Sequence, residues 1–161
     1  MSSRLANRLS AARQSRFVGR GSEQALFQSA LAEDELPLHV LYVFGPGGVG
    51  KTTLLRMFAH HCEQAKIPIV QIDARNVEPS PEAFLNALRL ALNLDPQASP
   101  FQVIAAQPCH LVILIDTYEV LAPLDDWIRE NLLGELPENT LMVLAGRPEV
   151  TYLDSAERLA A

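Results

Sequence analysis

The chain of 161 residues contains no apolar run near the roughly 20 residues that a helix needs to cross a bilayer, so no membrane partner is expected. Its first 20 residues lack the continuous apolar core of a secretory signal. Cysteine is scarce. Cys62 and Cys109 stand without metal-type spacing and read as reduced thiols near or in the core, which fits a cytoplasmic protein. Acid is missing from the first 20 residues, where Arg4, Arg8, Arg13, Arg16 and Arg20 give a charge of +5. With a net charge of −6, the remainder therefore carries −11. An acidic body argues against a broad nucleic-acid surface, and no direct nucleic-acid binding is expected. The basic leader is either a solvated arm or short helix, or an organellar transit peptide. Residues 1–16 are read as the arm and 17–161 as one core domain. No internal repeat or low-complexity tract interrupts that core.

Apolar residues make up 48% of the chain, enough for a sizeable core. Within it, Gly45-Pro46-Gly47-Gly48-Val49-Gly50-Lys51-Thr52 spells a complete G-x-x-x-x-G-K-T phosphate-binding loop. An apolar stretch of strand length, Leu38 to Phe44, precedes it. Thr53 to Ala59 follow with apolar residues at helical spacing. Strand, glycine-rich loop and helix is the context that makes the string a site. Glycines allow backbone N–H groups to turn inward around a diphosphate, and the helix adds its positive N-terminal end. Lys51 supplies a mobile charge for the β- and γ-phosphates, and the Thr52 hydroxyl can hold Mg²⁺.

Further strands are expected at 68–73, 111–116 and 141–146. Leu111 to Ile115 are five consecutive aliphatics, so both faces of that strand are covered, as in a central parallel strand. Helices are expected over 22–35, from the phosphate loop to about 66, from Ser80-Pro81-Glu82 onward, over 101–106 and over 124–133. Strands alternating with helices predict an α/β fold of three layers, a mostly parallel sheet flanked by helices.

Several residues outside the loop fall at strand ends, where such sheets bind ligands. Asp116 ends the most apolar strand and either holds the Mg²⁺ water shell or caps the next turn. Glu119 either reaches the same pocket through a tight turn at 117–119 and orients attacking water, or is a surface glutamate. Arg147 follows the fourth strand and either contacts the γ-phosphate or pairs with Glu149. Val18-Gly19-Arg20 precedes the first helix. Val18 can pack on an adenine, or the apolar pair can simply anchor the helix.

The ordered set Phe17-Val18-Gly19-Arg20-Gly21-Ser22-Glu23, Gly45 to Thr53, Leu111 to Asp116 with Thr117-Tyr118-Glu119, and Leu144-Ala145-Gly146-Arg147 resembles the nucleotide-binding core of bacterial STAND signal-transduction ATPases, within the AAA-like P-loop branch. Origin-recognition-type ATPases share a similar leading Val-Gly-Arg-Glu box; here its acid is displaced to Glu23. The resemblance implies that Val18, Gly19 and Arg20 line the adenine end. It implies that Gly45, Pro46, Gly47, Gly48, Val49, Gly50, Lys51, Thr52 and Thr53 hold the phosphates. It further implies Thr52 and Asp116 as Mg²⁺ residues and Arg147 as a sensor. Such domains also carry a fifth strand beside the first, then a helical lid and a winged-helix segment. The chain ends about fifteen residues after the expected fourth strand, so it reads as incomplete at its C-terminal side, with strand 38–44 left as an open edge that invites self-association.

The expected ligands are ATP or ADP with Mg²⁺, alongside protein partners or a second copy. Slow Mg²⁺-dependent ATP hydrolysis is the first reading. A nucleotide-dependent switch or interaction module without turnover is the second. A small-molecule phosphotransferase is third, and the absence of an arginine-rich lid counts against it.

Overall fold

The computed structural model describes residues 21–44, 50–146 and 157–160. Helix α1 (Gly21–Ala32) leads into β1 (Val40–Phe44), and α2 (Lys51–Gln64) follows the phosphate loop. Next come β2 (Ile69–Asp73), a 3₁₀ turn (Ala74–Asn76), α3 (Pro81–Ala91) and α4 (Pro100–Ala105). Strand β3 (Leu111–Asp116) runs into a 3₁₀ segment (Tyr118–Leu124). From there the helical stretches Asp125–Trp127, Ile128–Leu132 and Leu133–Glu135 follow without a break. Strands β4 (Thr140–Gly146) and β5 (Glu157–Ala160) complete the order.

The five strands form one sheet in the order β2-β3-β4-β1-β5, and every neighbouring pair is parallel. This is the expected three-layer α/β fold. Alternation along the strands divides the core in two. On one face Leu41, Val43, Val112, Leu114, Leu141 and Val143 pack against α1 and α2 through Phe27, Leu54 and Phe58. The Phe27 and Phe58 rings stack with centroids 4.1 Å apart. On the other face Val70, Ile72, Ile113, Ile115, Met142 and Leu144 meet Phe84 and Leu88 of α3, Ile104 of α4, and Leu121, Ile128 and Leu132.

Four expectations need correction. First, β1 is not an open edge. Strand β5 pairs with it from Leu41↔Glu157 to Phe44↔Ala160, so exposed strand edges give no ground for self-association at 38–44. Its sequence, Glu-Arg-Leu-Ala, has no apolar alternation to announce a strand. Second, the helix placed at 124–133 begins earlier as 3₁₀ turns. Pro123 lies inside them and lacks the N–H that a regular α ladder uses. A π turn then covers Ile128–Leu132, and the last helical stretch runs on past 133 through Gly134 to Glu135. Third, Cys109 is exposed, whereas Cys62 is fully buried. Burial pushes the Cys62 thiol up to about 12, so it stays protonated. Fourth, α4 starts at Pro100, with that ring at its first position.

Candidate nucleotide site

Because the strands are parallel, β1, β2, β3 and β4 all finish on one edge of the sheet, and α2 starts there. Gly50 precedes α2 with φ 83, a left-handed conformation that glycine adopts without a Cβ penalty. Among the described residues no side-chain cap hydrogen bond is made at this helix start, and no acid lies in its first turn. Helix α3 differs: the Ser80 hydroxyl accepts from the Ala83 N–H at 3.2 Å, and Glu82 sits in its first turn. The α2 terminus therefore offers positive partial charge to an anion. Lys51 is half-buried at the first position, and Thr52 and Thr53 are exposed.

The Thr52 hydroxyl Oγ1 donates to Asp116 Oδ2 at 2.8 Å, linking the α2 start to the end of β3 across 64 residues of sequence. The other carboxylate oxygen, Oδ1, accepts the backbone N–H of Thr117 at 2.8 Å. Thr52 and Asp116 thus converge two hard oxygen donors, the chemistry that Mg²⁺ prefers. Among the described residues no group of three or more histidines, cysteines and acids is placed to hold a metal. The residues present fit a Mg²⁺ ion that keeps phosphate and water ligands, as Mg²⁺ usually does.

After Asp116 the chain reverses sharply. Thr117 has φ 59, and the 3₁₀ segment begins at the next residue. Tyr118 is buried beneath it: its hydroxyl donates to Asp125 Oδ1 at 2.8 Å, and its ring meets Tyr42 of β1 edge-on. These contacts fix the turn that carries Glu119. Gly146 at the end of β4 packs against the same turn. A Cβ there would come within 2.9 Å of Tyr42 Oη and 3.5 Å of the Glu119 backbone N, so the position admits no larger residue without movement. Glu119 Oε2 is buried without a hydrogen-bond partner among the described residues. A buried acceptor left unspent is costly unless a donor arrives.

One further group at this edge escaped the sequence reading. Asp73 ends β2 in register with Asp116 of β3, and Arg75 grips it, with Nη2 at 2.7 Å from Oδ2. A signal was present: both strands end in Ile-Asp, at Ile72-Asp73 and Ile115-Asp116. Tyr42, Tyr118 and Gly146 were also missed as supports, because contacts between separate strand ends leave no local pattern. Val18, Gly19, Arg20, Gly45, Pro46, Gly47, Gly48, Val49 and Arg147 lie outside the described residues. Two clefts, of about 450 and 410 Å³, open at the opposite end of the sheet, around His39 and Glu138.

A parallel α/β sheet, a phosphate-loop sequence between β1 and a helix, and a Thr–Asp pair between the helix start and a strand end together define a P-loop nucleotide-binding domain. A family model for the AAA ATPase domain matches residues 16–159, and the chain belongs to that family. No curated protein matches it. Among solved structures, a chain of Drosophila ORC bound to DNA is similar at 19% identity and a TM-score of 0.64, over 94% of this chain and 44% of that one. Cdc6p from Pyrobaculum aerophilum is similar at 14% identity and 0.58, over 86% and 44%. C. elegans PCH-2 is similar at 15% identity and 0.51, over 97% and 41%. At these identities the likeness is one of fold, and the chain spans less than half the length of the chains it matches. No helix among the described residues is long and apolar enough to cross a membrane.

Proposed function

We propose that this chain is the Mg-ATP-binding core of a cytoplasmic signal-transduction ATPase of the STAND kind, hydrolysing ATP slowly. The observation that carries the reading is the 2.8 Å contact between Thr52 Oγ1 and Asp116 Oδ2 at the start of α2. In this reading the amides of Gly45 to Lys51 and the α2 terminus bind the phosphates, and Lys51 adds its ammonium charge. Thr52 and Asp116 would hold Mg²⁺, which supplies neutralisation of the β- and γ-oxygens. Glu119 orients the attacking water through its unspent oxygen and holds the abstracted proton. Arg147 senses the γ-phosphate, and Val18, Gly19 and Arg20 line the adenine end. The partners are ATP or ADP and other protein surfaces. The ORC relative is described bound to DNA, but its likeness is one of fold, and the acidic body supports no nucleic-acid role here.

A second reading, a nucleotide-dependent switch without turnover, draws on one observation. The residue after Asp116 is Thr117 in a left-handed turn, so the nearest acid along the chain is Glu119, three positions on. Thermal melting with ATP, ADP and GTP, each with and without Mg²⁺, tests the binding claim. The largest rise is expected with Mg-ATP, and no rise with any nucleotide overturns the reading. Single-turnover hydrolysis then separates an ATPase from a switch.

A further inference from the structure

Asp73 and Asp116 occupy matching positions on neighbouring strands. Both lie on the α2 face: Val112 and Leu114 alternate with Ile113 and Ile115 into that face's core, and Ile69 of β2 packs against the same core. Adjacent strands run about 4.8 Å apart. The two aspartates are therefore paired one strand apart at the edge where Thr52 meets Asp116. Arg75 pairs with Asp73. Its Nε lies 3.0 and 3.2 Å from the two Asp73 oxygens, its Nη2 donates at 2.7 Å, and its backbone N–H donates at 3.1 Å. The 3₁₀ turn that folds Arg75 back is itself capped by Asp73. The hydrogen bond from Arg75 holds the Asp73 carboxyl below the usual carboxylate range. The Arg75 guanidinium is held charged first by Asp73 and also by the charge of Asp116.

We propose that the Asp73–Arg75 ion pair sets the Mg²⁺ concentration at which the Thr52–Asp116 position fills when ATP is bound, Asp73 adding negative charge beside Asp116 and Arg75 cancelling it. The inference rests on the nucleotide reading above. Both members are positioning residues, acting through the field at Asp116. The pair is a neutral unit, so it adds no net charge beside Asp116. Removing either member leaves an uncompensated charge of opposite sign one strand away.

The test is the midpoint Mg²⁺ concentration for the ATP-dependent rise in melting temperature at fixed ATP. Arg75→Gln leaves two carboxylates and lowers that midpoint roughly three- to tenfold. Asp73→Asn frees the guanidinium beside Asp116 and raises the midpoint by a similar factor. The double variant Asp73→Asn/Arg75→Gln returns to within about twofold of wild type, and so does Arg75→Lys, which keeps the charge. All shifts shrink in high salt, because both side chains reach solvent. A purely structural role would move the two single variants in one direction, together with the melting temperature of the nucleotide-free protein. If the wild type shows no Mg²⁺-dependent rise, the nucleotide reading fails and this inference with it. If the wild type responds normally and the single variants stay put or move together, only this inference is overturned.

Discussion

Polar side chains at the two ends of the sheet bond to different kinds of partner. Where the strands begin, a polar residue stands immediately before each of β1, β3 and β4, and each reaches a main-chain carbonyl. His39 Nδ1 lies 3.4 Å from the Thr140 carbonyl, and His110 Nε2 donates to the Glu33 carbonyl at 2.7 Å. Asn139 Nδ2 donates to the carbonyls of Ile104 and Cys109, both at 3.2 Å. Where the strands finish, two solvent-reaching pairs join side chain to side chain, Thr52 to Asp116 and Arg75 to Asp73, beside the main-chain N–H groups that the two carboxylates also accept. Carbonyls are fixed in charge and nearly fixed in place, so bonds to them hold loops to the sheet. Bonds between exposed side chains can be exchanged when a ligand brings its own oxygens. One end is therefore built for rigidity and the other for exchange.

The comparison breaks if changes at the finishing end alter stability alone, or if changes at the starting end alter the nucleotide response. The largest effect is expected from Glu119→Gln, about 10²- to 10⁴-fold slower single-turnover hydrolysis with ATP affinity retained. Equal rates in variant and wild type would favour the switch without turnover. Lys51→Ala should next remove the ligand-induced stabilisation, about 2.7 kcal/mol at a hundredfold excess of nucleotide over Kd. The melting temperature of the nucleotide-free protein should stay the same, because the residue opens no core cavity. Asp116→Asn should weaken ATP binding more in Mg²⁺ than in EDTA; titration in both buffers checks this, and an equal loss would reduce Asp116 to a cap for Thr117. The smallest effect should come from Asn139→Ala, which forfeits two bonds to carbonyls. Denaturant titration should show a loss of about 1–2 kcal/mol, while the melting shift caused by Mg-ATP remains unchanged.

Elements with strong local chemistry were readable in advance. Strand β3 falls at 111–116 as expected, because five buried aliphatics admit no other placement. Helix α3 starts at Pro81 behind a Ser80 cap, for the same local reason. Helix α2 begins at Lys51, where the glycines stop. Thr52 and Asp116 were named separately as Mg²⁺ residues, and the structure shows their side chains in contact. What stayed hidden depends on neighbours distant in sequence. Strand β5 is made a strand by the exposed edge of β1 rather than by its own residues. The winding from Tyr118 to Leu132 follows a Pro123 ring and a buried Tyr118–Asp125 bond, whose partners no periodicity links. Asp73 and Asp116 become neighbours only through strand order, since 42 residues of chain and two helices, α3 and α4, separate them.

The position of β1 in the sheet has a consequence for assembly in time. Its two partners begin at residues 140 and 157, about a hundred positions further along the chain. A polypeptide emerging from its N-terminal side therefore makes the strand that leads into the phosphate-loop sequence about a hundred residues before either partner strand exists. Pairings of that sequence separation close slowly, and an unpaired apolar strand is a point of misassociation while it waits. The β2–β3 half can join within its own stretch of chain, whereas the half that presents the loop is clasped last. Of the four strands that carry the buried core, the one leading into the phosphate-loop sequence is thus the one whose partners arrive last along the chain.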